Sequence, residues 1–342
     1  MITCRNRQTL ASDNFASTHP KILEALTEAN HGHARAYGYD ELTAKATARF
    51  CEIFESEVQT YFVFNGTGAN VLALGACTKR FGAVLCPASA HINVDECGAP
   101  EWQLGIKLLP IATPEGKLLP AQITPHLHAM DSEHHSRPCA ISISQSSELG
   151  TLYSTGEIAA LAEVAHQHGL YLHVDGARIA NSVAASNTSL KKMLVETHVD
   201  VISFGGTKNG MMYGEAVVFL NKSLGQEIKF MRKQSMQLAS KMRFISAQFL
   251  ALFEDELWLK NAAHANKMAK LLQQKLETRQ NLKIIYPVEA NAVFVQMPKT
   301  LIHTLKQELF FWTWDEEQNI ARLMTSFDTT PEELHHFVSK CE

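Results

Sequence analysis

Residues 155–175 read TGEIAALAEVAHQHGLYLHVD. Apolar Ile158, Leu161, Ala162 and Ala165 recur at helical spacing, Gly169 is a plausible stop, and 171–175 is strand-like. The same alternation extends in both directions. YFVF (61–64) passes through a Gly turn into a helical stretch at 68–79. AVLCP (83–87), IKLLPI (106–111) and CAISIS (139–144) are short apolar runs, the last ending in a turn at 148–150. VDVISF (199–204) and AVVFL (216–220) are two more. Strands alternating with helices predict βαβ units, hence an α/β fold with a mostly parallel, doubly wound sheet.

Beyond about residue 226 the pattern changes. A long helical tract (229–277) leads to strand candidates LKIIYPV (282–288) and AVFVQM (292–297) and to a final helix after Pro331. The organisation expected is a large α/β domain with its N-terminal arm (1–240) and a smaller C-terminal α+β domain (241–342).

The 342 residues are 46% hydrophobic and 19% charged, with a net charge of −4. That is ordinary for a globular protein and gives no basic excess for nucleic acid. No apolar run approaches a membrane span. The start, MITCRNRQTLASDNF, has no apolar stretch after its basic residues, so no signal peptide is expected. The seven cysteines (Cys4, Cys51, Cys77, Cys86, Cys97, Cys139, Cys341) are odd in number and form no C-x-x-C pair. A disulfide framework and a cysteine-based zinc site are not expected. These features fit a cytoplasmic protein acting on small molecules.

In an open α/β sheet the ligand sits outside the carboxyl ends of the strands. Three segments fall there. Asn65-Gly66-Thr67-Gly68-Ala69-Asn70 opens a helix after YFVF and reads either as a phosphate cradle or as a tight βα turn. Val71 occupies the third glycine position of G-x-G-x-x-G, which disfavours a dinucleotide site. Asp175 ends an interior strand and needs a partner if buried; it can bind a metal, pair with Arg178, or face a protonated ring nitrogen. Lys208 lies among glycines in Gly205-Gly206-Thr207-Lys208-Asn209-Gly210, as a nucleophilic amine or as an exposed loop lysine. A phosphate cradle, a carboxylate and a lysine on three strand ends are what pyridoxal 5'-phosphate (PLP) requires.

With those segments in place, the sequence resembles the threonine aldolases of the β-eliminating-lyase group. The resemblance runs from Ser12-Asp13-Asn14 to about Phe327, and is most specific in HVDGARIANSVAA (173–185) and DVISFGGTKNG (200–210). AYGYDELT (36–43), FNGTGAN (64–70), HINVDECGAPE (91–101) and SQSSELGTLYS (144–154) add to it. It implies the aspartate-aminotransferase type fold (fold type I) and PLP bound by Lys208 as a Schiff base. It further implies Asp175 at the pyridine nitrogen, His91 stacked on the ring, and Gly66 and Thr67 at the phosphate, with the neighbouring subunit completing that site. Arg178, Ser12 and Arg322 are implied around the substrate carboxylate and the ring's phenolic oxygen.

Three positions stay open. His134, adjoining His135 and three residues ahead of Arg137, fits a histidine near the substrate hydroxyl or a surface pair. Asp95 orients His91, approaches the substrate, or caps a turn. Tyr37 is an active-site tyrosine near a subunit interface or core packing. The activity implied is retro-aldol cleavage of β-hydroxy-α-amino acids, such as L-threonine or L-allo-threonine, to glycine and an aldehyde. His91 or His134 is the candidate base. The assembly implied is a homotetramer with active sites at the dimer interface. β-Elimination, racemisation and transamination share the same lysine and aspartate and are the nearest alternatives. No H-x-x-x-H or H-E-x-x-H spacing occurs, so no metal is expected.

Overall fold

The computed structural model describes residues 9–128, 130 and 132–341. Cys4 lies outside the described residues. The larger sheet contains β1 (Gln59–Val63), β2 (Gly82–Pro87), β3 (Lys107–Ile111), β4 (Arg137–Ser144), β5 (Tyr171–Gly176), β6 (Val201–Gly205) and β7 (Glu215–Phe219). Their spatial order is β1-β7-β6-β5-β4-β2-β3. All neighbours pair in parallel except β7, which runs against both β1 and β6. Every residue of β6 and β7 is buried, which explains why both are apolar apart from Ser203 and Glu215: helices cover both faces of the sheet.

On one face, Phe50, Phe204, Phe249 and Phe253 form an aromatic knot. The Phe50 ring lies 5.3 Å from that of Phe204 and 5.0 Å from that of Phe253, both edge-on. On the other face, Leu72 and Leu74 of the helix Gly66–Cys77 pack with Val84, Val201, Val217 and Phe219.

The smaller sheet is antiparallel, in the order β10-β11-β9-β8, with β8 (Lys283–Ile284), β9 (Ala292–Gln296), β10 (Trp312–Asp315) and β11 (Ile320–Met324). Only residues 283–284 of the expected strand LKIIYPV pair. The N-terminal arm joins this unit: Leu10 N–H donates to the Phe310 carbonyl, and Met324 N–H to the Leu10 carbonyl.

The expected long helical tract is three helices, Ile228–Gln234, Arg243–Phe253 and Leu257–Leu276. Its interruptions fall at Met236 (φ 62°), and at Asp255 and Glu256 (φ 49° and 56°), left-handed conformations that no helix carries. Ile245, Phe249 and Leu252 of the middle helix belong to the core of the large sheet. The last helix contributes Trp258 and Ala262 to that core, and Met268, Leu272 and Leu276 to the core of the small sheet. We propose the domain division within this helix, in place of residue 240. Among the described residues, no helix is long and apolar enough to cross a membrane.

The pairing register gathers the functional ends. Ser144 lies opposite Asp175, and Asp175 opposite Ser203; Gly205 and Val63 both lie opposite Glu215. The loops after β1, β2, β4, β5 and β6 therefore leave from one edge, where β7 begins. Glu215 is buried at that edge and accepts the Gly206 N–H. Burial pushes its carboxyl up to about 7, against the opposing pull of the Gly206 N–H, Thr207 and Lys208.

A carboxyl whose value rises on folding stabilises the fold fully below its unfolded value, here 4.5, and loses that stabilisation as pH rises through about 7. The loss amounts to about 3 kcal/mol at 1.36 kcal/mol per pH unit. Glu215→Gln keeps an acceptor for Gly206 and removes the titration. Denaturant unfolding across pH 5 to 8 should show the variant gaining on the wild type as pH rises; a constant difference would contradict this.

Candidate active site

Lys208 follows β6 in a single 3₁₀ turn, Thr207–Asn209, that ends in Gly210 at φ 104°. Asn209 anchors the turn by donating to the Trp258 carbonyl at 2.9 Å, and Asn261 donates back to the Asn209 carbonyl at 2.9 Å. The lysine is half-buried and lines a cavity of about 580 Å³. Ser12, His91, Asp95, Arg178 and Arg322 line the same cavity, so six of the residues expected from the sequence converge there. Glu148, Trp312 and Trp314 join them. Another cavity, of about 540 Å³, lies against Glu28, Arg49, Glu254 and Asp255, with no lysine or histidine in its lining.

Asp175 is buried at the end of β5. Its carboxylate accepts the Asn70 Nδ2–H at 2.9 Å and the Ala177 N–H at 3.0 Å. Burial alone would raise this carboxyl. The charge of His91 and these hydrogen bonds outweigh burial and hold it below its usual range. On the same strand His173 is enclosed between the hydroxyls of Ser142 and Ser203, and burial pushes it down to about 4, so it is neutral.

Asn70 also donates to Glu96 Oε1 at 2.7 Å, and that oxygen lies 2.8 Å from His91 Nδ1. The hydrogen bond with Glu96 raises His91 above its ordinary value, against burial, which lowers it. The partner of the His91 ring is therefore Glu96, not Asp95. Asp95 caps the short helix His91–Val94, its N–H donating to the His91 carbonyl at 2.9 Å, one of the roles left open for it. Asp95 is exposed and borders the cavity.

Arg178 meets Asp13 through two hydrogen bonds, Nε at 2.6 Å and Nη2 at 2.8 Å. Asn291 donates to the same carboxylate at 3.0 Å. Burial would lower Arg178 and raise Asp13; their pairing reverses both shifts. Arg322 differs. It stands 5.3 Å over the Trp314 ring, and its buried Nε has no hydrogen-bond partner. Burial lowers it, as does the charge of Arg178. Asp328 accepts from Ser17 and Ser326 instead, so it is not the partner of Arg322.

Gly66 and Thr67 start the helix after β1, with Asn65 capping it through Gly68 N–H at 2.8 Å. Their own amides have no acceptor within the helix. A side chain at Gly66 would meet open space, whereas at Gly68 its Cβ would collide with Gln237. About one helical turn, 5.4 Å of rise, separates these amides from Asn70, which holds the Asp175 carboxylate. An anionic group at the helix start and a protonated ring nitrogen at Asp175 are thus both provided for by one helix. Arg322, with its unsatisfied N–H, suits a carboxylate. The residues fit PLP and an amino acid.

The structure does not bring His134 to this cavity. It lies in an exposed turn just before β4, at the amino end of that strand, while the site lies at the carboxyl ends. Tyr37 is 45% exposed, has φ 61°, and stacks under Lys233. Asn70, Glu96, Asp13 and Glu148 are the residues the sequence reading passed over. Glu148 was within its reach, being a polar residue just past the carboxyl end of β4. Among the described residues, no group of three or more His, Cys, Asp or Glu could hold a metal ion.

Residues 9–300 match the β-eliminating lyase family. The low-specificity L-threonine aldolase of Pseudomonas aeruginosa is 41% identical over 329 residues, covering 96% of this chain and 95% of that one. An alanine racemase of Cochliobolus carbonum is 27% identical over 84% of this chain and 74% of its own. The solved threonine aldolase of Leishmania major superposes with a TM-score of 0.92 at 32% identity, covering 97% of this chain and 98% of that one. On this evidence of sequence and shape together, the chain belongs to the β-eliminating lyase family.

Proposed function

We propose that this chain cleaves β-hydroxy-α-amino acids, L-threonine or L-allo-threonine among them, to glycine and an aldehyde by a retro-aldol reaction. The observation that carries this reading is one cavity holding both the Lys208 amine and the unpaired Arg322 guanidinium, with the buried Asp175 carboxylate acting electrostatically on His91 and Glu148 of its lining. The chain's similarity to threonine aldolases over nearly its whole length supports it.

PLP, when bound, supplies an acceptor for the electron pair left at Cα. Lys208 offers the amine that would hold the cofactor, in a cavity that would also admit the amino group of the substrate. Asp175 offers a carboxylate to the protonated ring nitrogen; Asn70 and Ala177 hold it in place. His91, braced by Glu96, would offer its ring to the cofactor. Gly66 and Thr67 direct amides at the phosphate. Arg322 would take the substrate carboxylate and so orient the bonds at Cα. Arg178, already committed to Asp13, adds positive charge at the same place, and Ser12 adds a hydroxyl.

A homotetramer whose neighbouring subunit completes the phosphate site fits the exposure of Tyr37, Tyr39 and Met236 at 45%, 73% and 75%. A cytoplasmic setting fits the six described cysteines, all free.

Racemisation is the second reading, favoured by the alanine racemase relative. Incubation with L-threonine separates the two. Glycine and acetaldehyde in equal amounts are expected. D-allo-Threonine, the Cα epimer of L-threonine, or ammonia with a keto acid, would contradict the retro-aldol reading.

Arg322 gives a second test. Losing a desolvated, charged contact costs roughly 2–5 kcal/mol, or about 30- to several-thousand-fold in kcat/KM. Arg322→Ala should keep the yellow colour of the bound cofactor while binding amino acids poorly. Arg322→Lys should recover only part, because an ammonium lacks the guanidinium fork. An unchanged KM with a lowered melting temperature would instead make Arg322 a structural residue.

A further inference from the structure

The loop after β4 carries a carboxyl into the cavity that the assignments above leave unused. Its backbone closes on itself: Ser147 N–H donates to the Thr151 carbonyl, and Gly150 N–H to the Ser147 carbonyl, each at 2.9 Å. The hydroxyls of Ser147 and Thr151 lie 2.6 Å apart. Leu149 packs with Ala292 and Phe294 of the small sheet. At Gly150 (φ 79°) an added Cβ would sit 3.1 Å from that of Ala292, so the two units press together there. Glu148 is the residue this loop directs at the cavity.

The groups facing Glu148 are His91, Asp175, Arg178, Lys208 and Arg322. Its carboxyl has no hydrogen-bond or ion-pair partner among the described residues. Burial raises that carboxyl above its usual range, although Arg178 opposes the rise.

We propose that Glu148 is the catalytic residue that takes the proton from the β-hydroxyl of the substrate. The proposal rests on the retro-aldol reading. As the Cα–Cβ bond breaks, the O–H proton passes to the Glu148 carboxylate, and the O–H electron pair becomes the second bond of the aldehyde carbonyl. The Cα–Cβ electron pair stays with Cα, which takes up one proton to become glycine. All atoms of threonine reappear in glycine and acetaldehyde, and no oxidant or reductant is needed.

The other bases available are less suited. His91 is held by Glu96, which favours the imidazolium, a form with no lone pair to accept a proton. His134 lies at the opposite edge of the sheet, and Asp95 is exposed to solvent. The half-buried Glu148 carboxyl borders the cavity, and burial raises it above its usual range, which strengthens it as a proton acceptor.

The test uses the PLP-loaded enzyme and its Glu148→Gln and Glu148→Asp variants. Glutamine should lower kcat for threonine cleavage by about 10²–10⁴-fold, the usual worth of a general base. Aspartate should restore part of it. Glycine lacks the β-hydroxyl, so its calorimetric Kd should stay within about threefold, in keeping with a contact made only to that group. Infrared difference spectra of wild type against Glu148→Gln should show a protonated carboxyl that persists above the ordinary glutamate range. Should the glutamine variant not fold, wild type against Glu148→Asp supplies both the kinetic and the infrared comparison. Wild-type rates in the variants, or glycine affinity lost in step with cleavage, would overturn the role and leave Glu148 as a counter-charge for Arg178 and Arg322. If the wild type itself releases no aldehyde from any β-hydroxy amino acid, the reaction assignment fails and the Glu148 proposal fails with it.

Discussion

Burying a carboxylate requires partners that replace water, and Asp175 sets that requirement at the centre of this fold. The answer is largely one side chain. The Asn70 amide group donates both to Asp175 and to Glu96, and Glu96 in turn meets His91. Three segments are thereby fixed relative to one another: the helix Gly66–Cys77, the end of β5, and the short helix His91–Val94. The same helix brings the unpaired amides of Gly66 and Thr67 to the site. The geometry that would receive a cofactor is therefore already determined by how this carboxylate is satisfied. Removing Asn70 would leave two buried carboxylates short of a donor, a larger loss than one neutral hydrogen bond.

A second buried pair joins the two sheets. Asp13 binds Arg178 from the large sheet and Asn291 from the segment before β9, while Leu10, three residues earlier, sits in the core of the small sheet. The N-terminal arm thus ties both units at the rim of the cavity. This pairing also divides the work between two arginines. Arg178 has both Nε and Nη2 engaged by Asp13, whereas Arg322 keeps an unsatisfied Nε. Charge alone would make them equivalent; their hydrogen-bond partners make only Arg322 free to take up a carboxylate.

What the sequence revealed and what it hid follow from range of interaction. Buried parallel strands such as VISF are continuous apolar runs, so their carboxyl ends, and with them Asp175 and Lys208, could be located by eye. The neighbours that satisfy these groups could not. Spacing left Asp95 open as a partner of His91, a substrate contact or a turn cap, and the short helix brings the buried Glu96 to the ring instead. The breaks at Asp255 and Glu256 were hidden because neither residue is a usual left-handed stop. His134 stands just before β4, so within one chain it lies at the edge opposite the one that the carboxyl-end rule assigns to Asp175. Applied to every strand, that rule leads to Glu148 as well.

The account depends most on Lys208 as the residue that holds the cofactor. Borohydride reduction of the PLP-loaded protein, followed by peptide mapping, tests this without any assay of turnover. The cofactor mass should appear on the peptide carrying Lys208 and should vanish in Lys208→Ala. An adduct on a different lysine, or none on the wild type, would contradict the account.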